Sequence, residues 1–202
     1  MGGSIITCQP CRDVLTDHTS KNPVIPAVRS LGDLEYAAEC DAKLVFLVTG
    51  SVLDLTDIAT RSLELGQSLF CHLDLIQGIG KDRPGIKWLA RDFGIAGILT
   101  TRSSLVKYAK DEGLMAIQRL FLFDSGSLKT GLAACSECKP DAVEILPGIV
   151  LPAVVHRLPI SRIPRFIGGG LIETPSEVDA LLAAGAIGVS ASKKAIWKCR
   201  RR

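Results

Sequence analysis

The sequence predicts a compact, single-domain α/β protein folded as a TIM-type (β/α)8 barrel, and three observations support this prediction. Eight short apolar segments alternate with eight amphipathic segments, the pattern of a parallel sheet with crossover helices. A chain of 202 residues suits one domain. No change in composition marks a second domain. An open doubly wound sheet competes, because barrels usually have about 250 residues, but the count of eight favours the barrel.

The elements follow from apolar runs and boundary signals. The apolar, β-rich runs predict strands at 24–28, 44–48, 69–75, 97–99, 115–121, 142–146, 165–167 and 187–189. The intervening helices are predicted at 31–39, 53–65, 85–93, 103–112, 127–138, 148–157, 176–184 and 193–199. Asp54 and Ser176 are suitable caps for helix starts, whereas Gly66, Gly113 and Gly185 lie where helices should stop. Residues 1–22 are polar and turn-rich, so we expect a lead-in there, followed by a barrel domain over residues 23–202.

Composition excludes several classes of protein. Lysine and arginine number 24 against 21 acidic residues, and the resulting net charge of +3 does not by itself demand a nucleic-acid partner. The longest apolar runs are far shorter than the roughly 18–20 residues that cross a bilayer. The first residues lack the basic and apolar regions of a secretory signal. Together with an odd count of seven cysteines, these features predict a cytoplasmic protein.

Two Cys-x-x-Cys pairs raise the question of a metal. Cys8 with Cys11 and Cys135 with Cys138 contain the thiols of a four-thiolate zinc site. Their separation is much longer than in a compact zinc ribbon, so we favour plain thiols and predict no metal and no cofactor.

Polar residues at the predicted strand ends mark the candidate site, because ligands of these barrels bind at the carboxyl ends of the strands. His72 and Asp74 are two residues apart on predicted strand three, so both should face the barrel mouth while Leu73 and Leu75 face the helices. A structural pair that caps the interior is the alternative. Three more charged residues lie at strand ends or in the loops that follow and complete this set: Arg29, Lys81 and Arg102.

Arg119 and Glu144 lie inside apolar strands five and six, which are neighbours in a barrel. A buried charge without a partner costs several kcal/mol. We therefore predict that the two side chains pair with each other or with a ligand.

The loops after strands seven and eight predict a phosphate site. Glycines at 168, 169 and 170 allow backbone N–H groups to approach an anion closely. Ser190 and Ser192 precede a predicted helix, whose N-terminus would add donors and a favourable dipole. These two loops form the recurrent phosphate site of such barrels.

Taken together, these stretches resemble the glycerol-3-phosphate-responsive antiterminator regulatory proteins over residues 23–197. The stretches that carry the resemblance are Pro23-Val24-Ile25, His72-Leu73-Asp74-Leu75-Ile76, Gly78-Ile79-Gly80-Lys81-Asp82, the run from Pro140 to Gly148, and Gly169-Gly170-Leu171-Ile172. The resemblance implies a TIM-type barrel that binds glycerol 3-phosphate. It also implies regulation of glycerol-utilisation genes by antitermination at the leader mRNA, without catalysis.

The basic C-terminal tail is the best candidate for an RNA surface. Its cations are Lys193, Lys194, Lys198, Arg200, Arg201 and Arg202. They would attract phosphates, and Trp197 could stack on a base. Alternatively, Trp197 packs on the barrel and the charges suit the end of a final helix. The arginines at 157, 162 and 165 form a second, sparser basic stretch.

Two functions from different classes remain open at this point. The first is a non-enzymatic, glycerol 3-phosphate-sensing, RNA-binding antiterminator. The second is a TIM-barrel enzyme, an isomerase, lyase or phosphatase, acting on a small phosphorylated metabolite, since the fold alone does not decide function. The sequence also leaves open whether the chain forms a homo-oligomer.

Overall fold

A computed structural model describes residues 13–159 and 163–201 and confirms the closed parallel barrel. Eight strands follow one another around the barrel in chain order, and the last pairs with the first. They are β1 Val24–Val28, β2 Leu44–Leu47, β3 Ser68–His72, β4 Gly97–Thr100, β5 Met115–Phe121, β6 Ala142–Leu146, β7 Phe166–Gly169 and β8 Gly188–Ala191. All eight predicted strands are present, with differences at their ends.

Helices lie between the strands, as the alternation predicts. They are α1 Val14–Thr19, α2 Leu31–Glu39, α3 Val52–Glu64, α4 Arg83–Asp92, α5 Ser103–Asp111, α6 Ser125–Cys138, α7 Leu151–Val154 and α8 Pro175–Ala183. The region predicted as one helix at 148–157 is divided, because 3-10 turns at Gly148–Val150 and Val155–Arg157 flank the four-residue α7.

The predicted helix caps are shifted in α3 and α8. Ser51 is the N-cap of α3, and Asp54 completes a reciprocal capping box from the third helical position. Thr174 has the same role in α8, so that Ser176 is already inside the helix.

The core has two layers. Inside the barrel, apolar side chains such as Ile25, Phe46, Phe70 and Ile117 form one cluster, and Leu15 of α1 belongs to the same cluster. A larger cluster fills the space between the strands and the surrounding helices. No helix of the described residues is both long and apolar enough to cross a membrane.

Two predicted elements are shorter than the sequence suggested. The strand predicted to reach residue 75 ends at His72, because the chain turns there and the Leu75 N–H donates to the His72 carbonyl over 2.9 Å. The helix predicted at 193–199 is only a 3-10 turn at Lys194–Ile196. The next residue, Trp197, is buried, and its indole Nε1–H donates to the Ala191 carbonyl at 2.8 Å. This contact holds the segment against the barrel.

Candidate functional site

A cavity of about 470 Å³ opens at the carboxyl ends of the strands. Seven of the twelve residues predicted to bind ligand line it: Arg29, His72, Arg119, Glu144, Gly170, Ser190 and Ser192. The barrel mouth therefore contains more than half of the predicted site.

Arg119 and Glu144 occupy directly opposed positions on β5 and β6. Arg119 Nε lies 2.5 Å from Glu144 Oε2, and the side chains are only 15% and 3% exposed. Although close, the two atoms are not aligned as a hydrogen bond, so the contact is an ion pair with hydrogen-bonding capacity left over. The predicted adjacency of this buried pair is confirmed.

Ser190 and Gly169 complete the surroundings of this carboxylate. The Ser190 hydroxyl donates to Glu144 Oε1. A Cβ at position 169 would lie only 2.5 Å from Glu144 Oε1 and 2.7 Å from Ser190 Oγ. Glycine is therefore required at 169 to make room for the carboxylate and hydroxyl pair, a reason that differs from the predicted approach to an anion.

His72 lies on the other side of Arg119. Its Nε2 contacts Nη1 of Arg119, and its buried Nδ1 has no hydrogen-bond partner on another described residue. Burial, reinforced by the charge of Arg119, lowers the pKa of His72 to about 4. A neutral ring accepts from Arg119 at Nε2 and keeps Nδ1–H as a donor.

This environment predicts a pH dependence of stability. The His72 ring of the unfolded chain takes up a proton near its ordinary pKa of 6.5, whereas the folded ring stays neutral until about pH 4. The stability is therefore complete above the unfolded pKa and is lost as pH falls through this interval. We expect a loss of about 2 kcal/mol between roughly pH 7 and pH 5, measured by urea denaturation. His72→Gln should lack this component, and equal pH dependence of both proteins would contradict the prediction.

Asp74, Lys81 and Arg102 form a separate cluster beside the cavity rather than in its wall. Asp74 accepts from the Thr101 N–H at 2.7 Å and from the hydroxyls of Thr100 and Thr101, and Arg102 Nε lies 3.7 Å away. Lys81 Nζ donates to the Asp74 carbonyl at 2.6 Å. The expectation that Asp74 faces the mouth from the strand beside His72 is wrong, because β3 ends before it.

The glycines at the end of β7 and in the loop after it differ in what they contact. At Gly168 a Cβ would lie 2.8 Å from the Leu181 side chain of α8, so Gly168 belongs to helix packing. Gly170 and Leu171 have φ angles of 84° and 61°, a conformation that is unfavourable for leucine. The backbone N–H group of Ser192 donates no hydrogen bond within the described residues, so it is available to a ligand at the cavity.

Cations at the rim replace the predicted helix dipole after β8. Only a 3-10 turn follows β8, so this strand leads into no long helix whose N-terminus could face the cavity. Arg29 and Lys193 line the opening instead. The guanidinium of Arg29 has no partner among the described residues, and Lys193 Nζ is 3.8 Å from Glu173.

The basic tail folds against the outside of the barrel. Lys194 pairs with Asp33 over 2.6 Å, while Arg200 and Arg201 donate to the carbonyls of Cys40 and Ile187. Lys198 lies over the ring of Tyr36. Arg202 and Arg162 lie outside the described residues. Since Trp197 is buried against the barrel, it cannot stack on a base. The packing expected in the alternative is confirmed, whereas the final helix expected with it is absent.

The cysteines of the described chain are thiols in apolar surroundings. Cys135 and Cys138 are buried at the end of α6, and burial raises both pKa values, that of Cys135 to about 12. No group of three or more potential metal ligands occurs in residues 13–159 and 163–201. Cys8 and Cys11 lie outside this part of the chain.

Several residues of the cavity wall were missed from the sequence. Val48, Leu75, Leu99 and Leu146 line it with apolar surface, and Lys193 was assigned only to RNA. The period of two along β2 could have identified Val48, because Leu44 and Phe46 face the barrel interior. Leu75 gave no such signal, since it follows a turn.

Fold and cavity together define a (β/α)8 barrel with an open, polar and partly cationic mouth. Comparison with known sequences gives the family. The sequence profile described as "Glycerol-3-phosphate responsive antiterminator" matches residues 24–197, and the chain belongs to this family. It is also 28% identical over 182 residues to the Escherichia coli (strain K12) "Uncharacterized protein YgcP", covering 90% of this chain and 95% of that protein.

Solved structures agree with the family. The glycerol uptake operon antiterminator regulatory protein of Listeria monocytogenes is 32% identical, with a TM-score of 0.81 over 87% of this chain and 94% of that one. A glycerol uptake operon antiterminator-related protein of Thermotoga maritima is 26% identical, with a TM-score of 0.78 over 89% and 99%. Deoxyribose phosphate aldolase of Aeropyrum pernix, 14% identical with a TM-score of 0.68 over 94% and 97%, shares the fold alone.

Proposed function

We propose that this protein is a glycerol 3-phosphate-sensing, RNA-binding transcription antiterminator that regulates glycerol-utilisation genes in the cytoplasm. The observation that carries the proposal is the composition of the cavity. An unpaired N–H group and a free guanidinium occur in the same cavity as a buried carboxylate. These are complementary to the two ends of a phosphorylated polyol. Family membership supports the regulatory role.

The phosphate binds at the β7 and β8 loops. Its oxygens accept from the N–H group and the hydroxyl of Ser192, and Arg29 and Lys193 neutralise its charge. At the other end, a glycerol hydroxyl donates to Glu144. A carboxylate is an acceptor only, so it suits a hydroxyl and disfavours a second phosphate.

Calorimetry tests the ligand. We expect binding of glycerol 3-phosphate and far weaker binding of glycerol, because only the former uses the cationic rim. Arg29→Met should lower the affinity for glycerol 3-phosphate about tenfold, the loss of one charge-assisted contact. Arg91→Met, an exposed change in α4, is the matched control. Equal binding of both compounds, or of neither, contradicts the assignment.

A turnover assay distinguishes this sensor from the alternative enzyme. The mouth contains His72 and Glu144, which are acid and base types, so fold and composition do not decide between the two. A panel of triose and sugar phosphates is incubated with the protein and followed by NMR. A sensor leaves every compound unchanged, and steady turnover that is lost in Glu144→Gln would replace it with an enzyme.

The RNA role is tested with the leader transcript of a glycerol-utilisation operon. We expect glycerol 3-phosphate to strengthen binding in a gel-shift titration, and higher salt to weaken it, as phosphate contacts require. The linkage is reciprocal, so the RNA must also raise the affinity for the ligand. RNA binding that does not change with glycerol 3-phosphate would leave a phosphate sensor that acts through something other than this RNA.

A further inference from the structure

Exposed apolar side chains are concentrated around the barrel mouth. Nine large apolar residues are exposed in the described chain, and seven of them follow the carboxyl end of a strand or end one: Leu31, Leu53, Leu75, Phe121, Phe123, Val150 and Leu171. Leu63 and Trp88, the other two, are within helices or at their ends. Apolar surface gathered on one face marks an interaction site.

Two aromatic rings distinguish one sector of this face. Phe121 ends β5 and Phe123 follows two residues later, with exposures of 39% and 81%. Their rings are nearly parallel, at 10°, with centroids 5.7 Å apart. A flat aromatic surface open to solvent is what an unpaired nucleobase stacks on, whatever its identity.

Cations flank this aromatic pair. Strands β4 and β5 are neighbours, and Gln118 Nε2 of β5 donates to the Thr101 carbonyl at 2.8 Å, which ties the loop after β4 to β5. Arg102 of the loop after β4 is 55% exposed, although its Nε lies 3.7 Å from Asp74, and Lys129 on α6 is exposed as well. The intervening carboxylate of Asp124 is turned into the N-cap of α6. Cations beside open rings complement an RNA strand.

One residue connects the rings to the cavity. The guanidinium of Arg119 lies 5.9 Å from the centre of the Phe121 ring and also contacts Glu144 and His72. A ligand that draws Arg119 toward itself changes its contact with Phe121.

We infer that Phe121 and Phe123 form a stacking surface for unpaired RNA bases, and that Arg119 couples this surface to the occupant of the cavity. The inference rests on the proposed antiterminator function and deepens it by naming the RNA-binding face and its link to the ligand. It locates the RNA at the mouth and not on the C-terminal tail.

The experiment measures fluorescence anisotropy of a 5′-labelled single-stranded leader RNA, with and without glycerol 3-phosphate. The test variant is Phe121→Leu/Phe123→Leu, which keeps the apolar bulk and removes the aromatic faces. We expect affinity to fall at least about fivefold, from the stacking of one base, and the effect of the ligand to diminish. Leu53→Ala, which removes an 86% exposed side chain from the same face, should bind as the wild type does.

Further arms distinguish the alternatives. Lys198→Gln/Arg200→Gln tests the tail, and light scattering of each protein reports its oligomeric state. Three results would overturn the stacking surface while the antiterminator role stands. RNA binding could be unchanged in the leucine variant, it could fall equally in Leu53→Ala, or it could be lost only in the tail variant. A wild-type protein that binds no leader RNA overturns both. A leucine variant that loses self-association instead of RNA identifies the face as a contact between two copies.

Discussion

Replacing Arg119 by methionine is expected to lower the free energy of unfolding by about 3–5 kcal/mol, because it leaves the Glu144 carboxylate buried without its cation. Glu144 is 3% exposed and retains only the Ser190 hydroxyl as a partner among the described residues. Binding of glycerol 3-phosphate should be abolished, since the carboxylate that would accept from the glycerol hydroxyl loses the cation that holds it in place. Urea denaturation and calorimetry measure the two effects.

Two control variants test whether the loss of stability comes from the buried carboxylate that is left unpaired. Arg119→Met/Glu144→Met removes both charges, so it should recover most of the stability without recovering ligand binding. Arg61→Met breaks exposed pairs with Glu35 and Glu64 and should change the free energy of unfolding far less than Arg119→Met does. If the single Arg119 variant is as stable as the wild type, the pair does not hold the barrel mouth together.

Gly169→Ala should have the second-largest effect, although it adds only a methyl group. The new Cβ would lie 2.5 Å from Glu144 Oε1 and 2.7 Å from Ser190 Oγ, so the carboxylate or the strand must shift. We expect a loss of about 1–3 kcal/mol in stability, as for other overpacked cores. Ligand affinity should fall with it, because the acceptor for the glycerol hydroxyl has moved. The same two measurements apply.

Gly32→Ala in α2 is the matched control for that substitution. Its Cβ would meet nothing closer than the Ser30 hydroxyl oxygen at 3.9 Å, and alanine favours a helix over glycine. Its stability should therefore equal or exceed that of the wild type. If both alanine variants behave alike, Gly169 has no special role beside the carboxylate.

The fold was predictable because each apolar run is short and each is followed by an amphipathic segment. Because β5 and β6 are neighbours in the closed barrel, Arg119 could then be placed opposite Glu144. A charged side chain inside an apolar strand needs a partner close to it. Loops gave no such guidance. The turn after His72 moves Asp74 from the mouth to the Thr101 backbone, and this depends on hydrogen bonds that no periodicity reveals.

The tail shows a different limit. Its cations predict a solvated helix or an RNA surface, but the burial of Trp197 and the contacts of Lys194 with Asp33 decide its path. Long-range packing of one large side chain overrides local helix preference here. Gly169 shows the same limit at the site. Glycine is needed there because of the side chains of Glu144 and Ser190, which come from two other strands.

The pairing of β1 with β8 determines when the barrel can close during synthesis of the chain. Val24 pairs with Val189, and the Arg201 N–H donates to the Lys21 carbonyl, so β1 finds this partner only after β8 has been made. Until then a growing chain exposes unpaired strand edges, and the cavity lacks the wall that Ser190 and Lys193 provide. An unfinished chain that lacks β8 therefore has neither the closed barrel nor the complete cavity in which we propose that glycerol 3-phosphate binds.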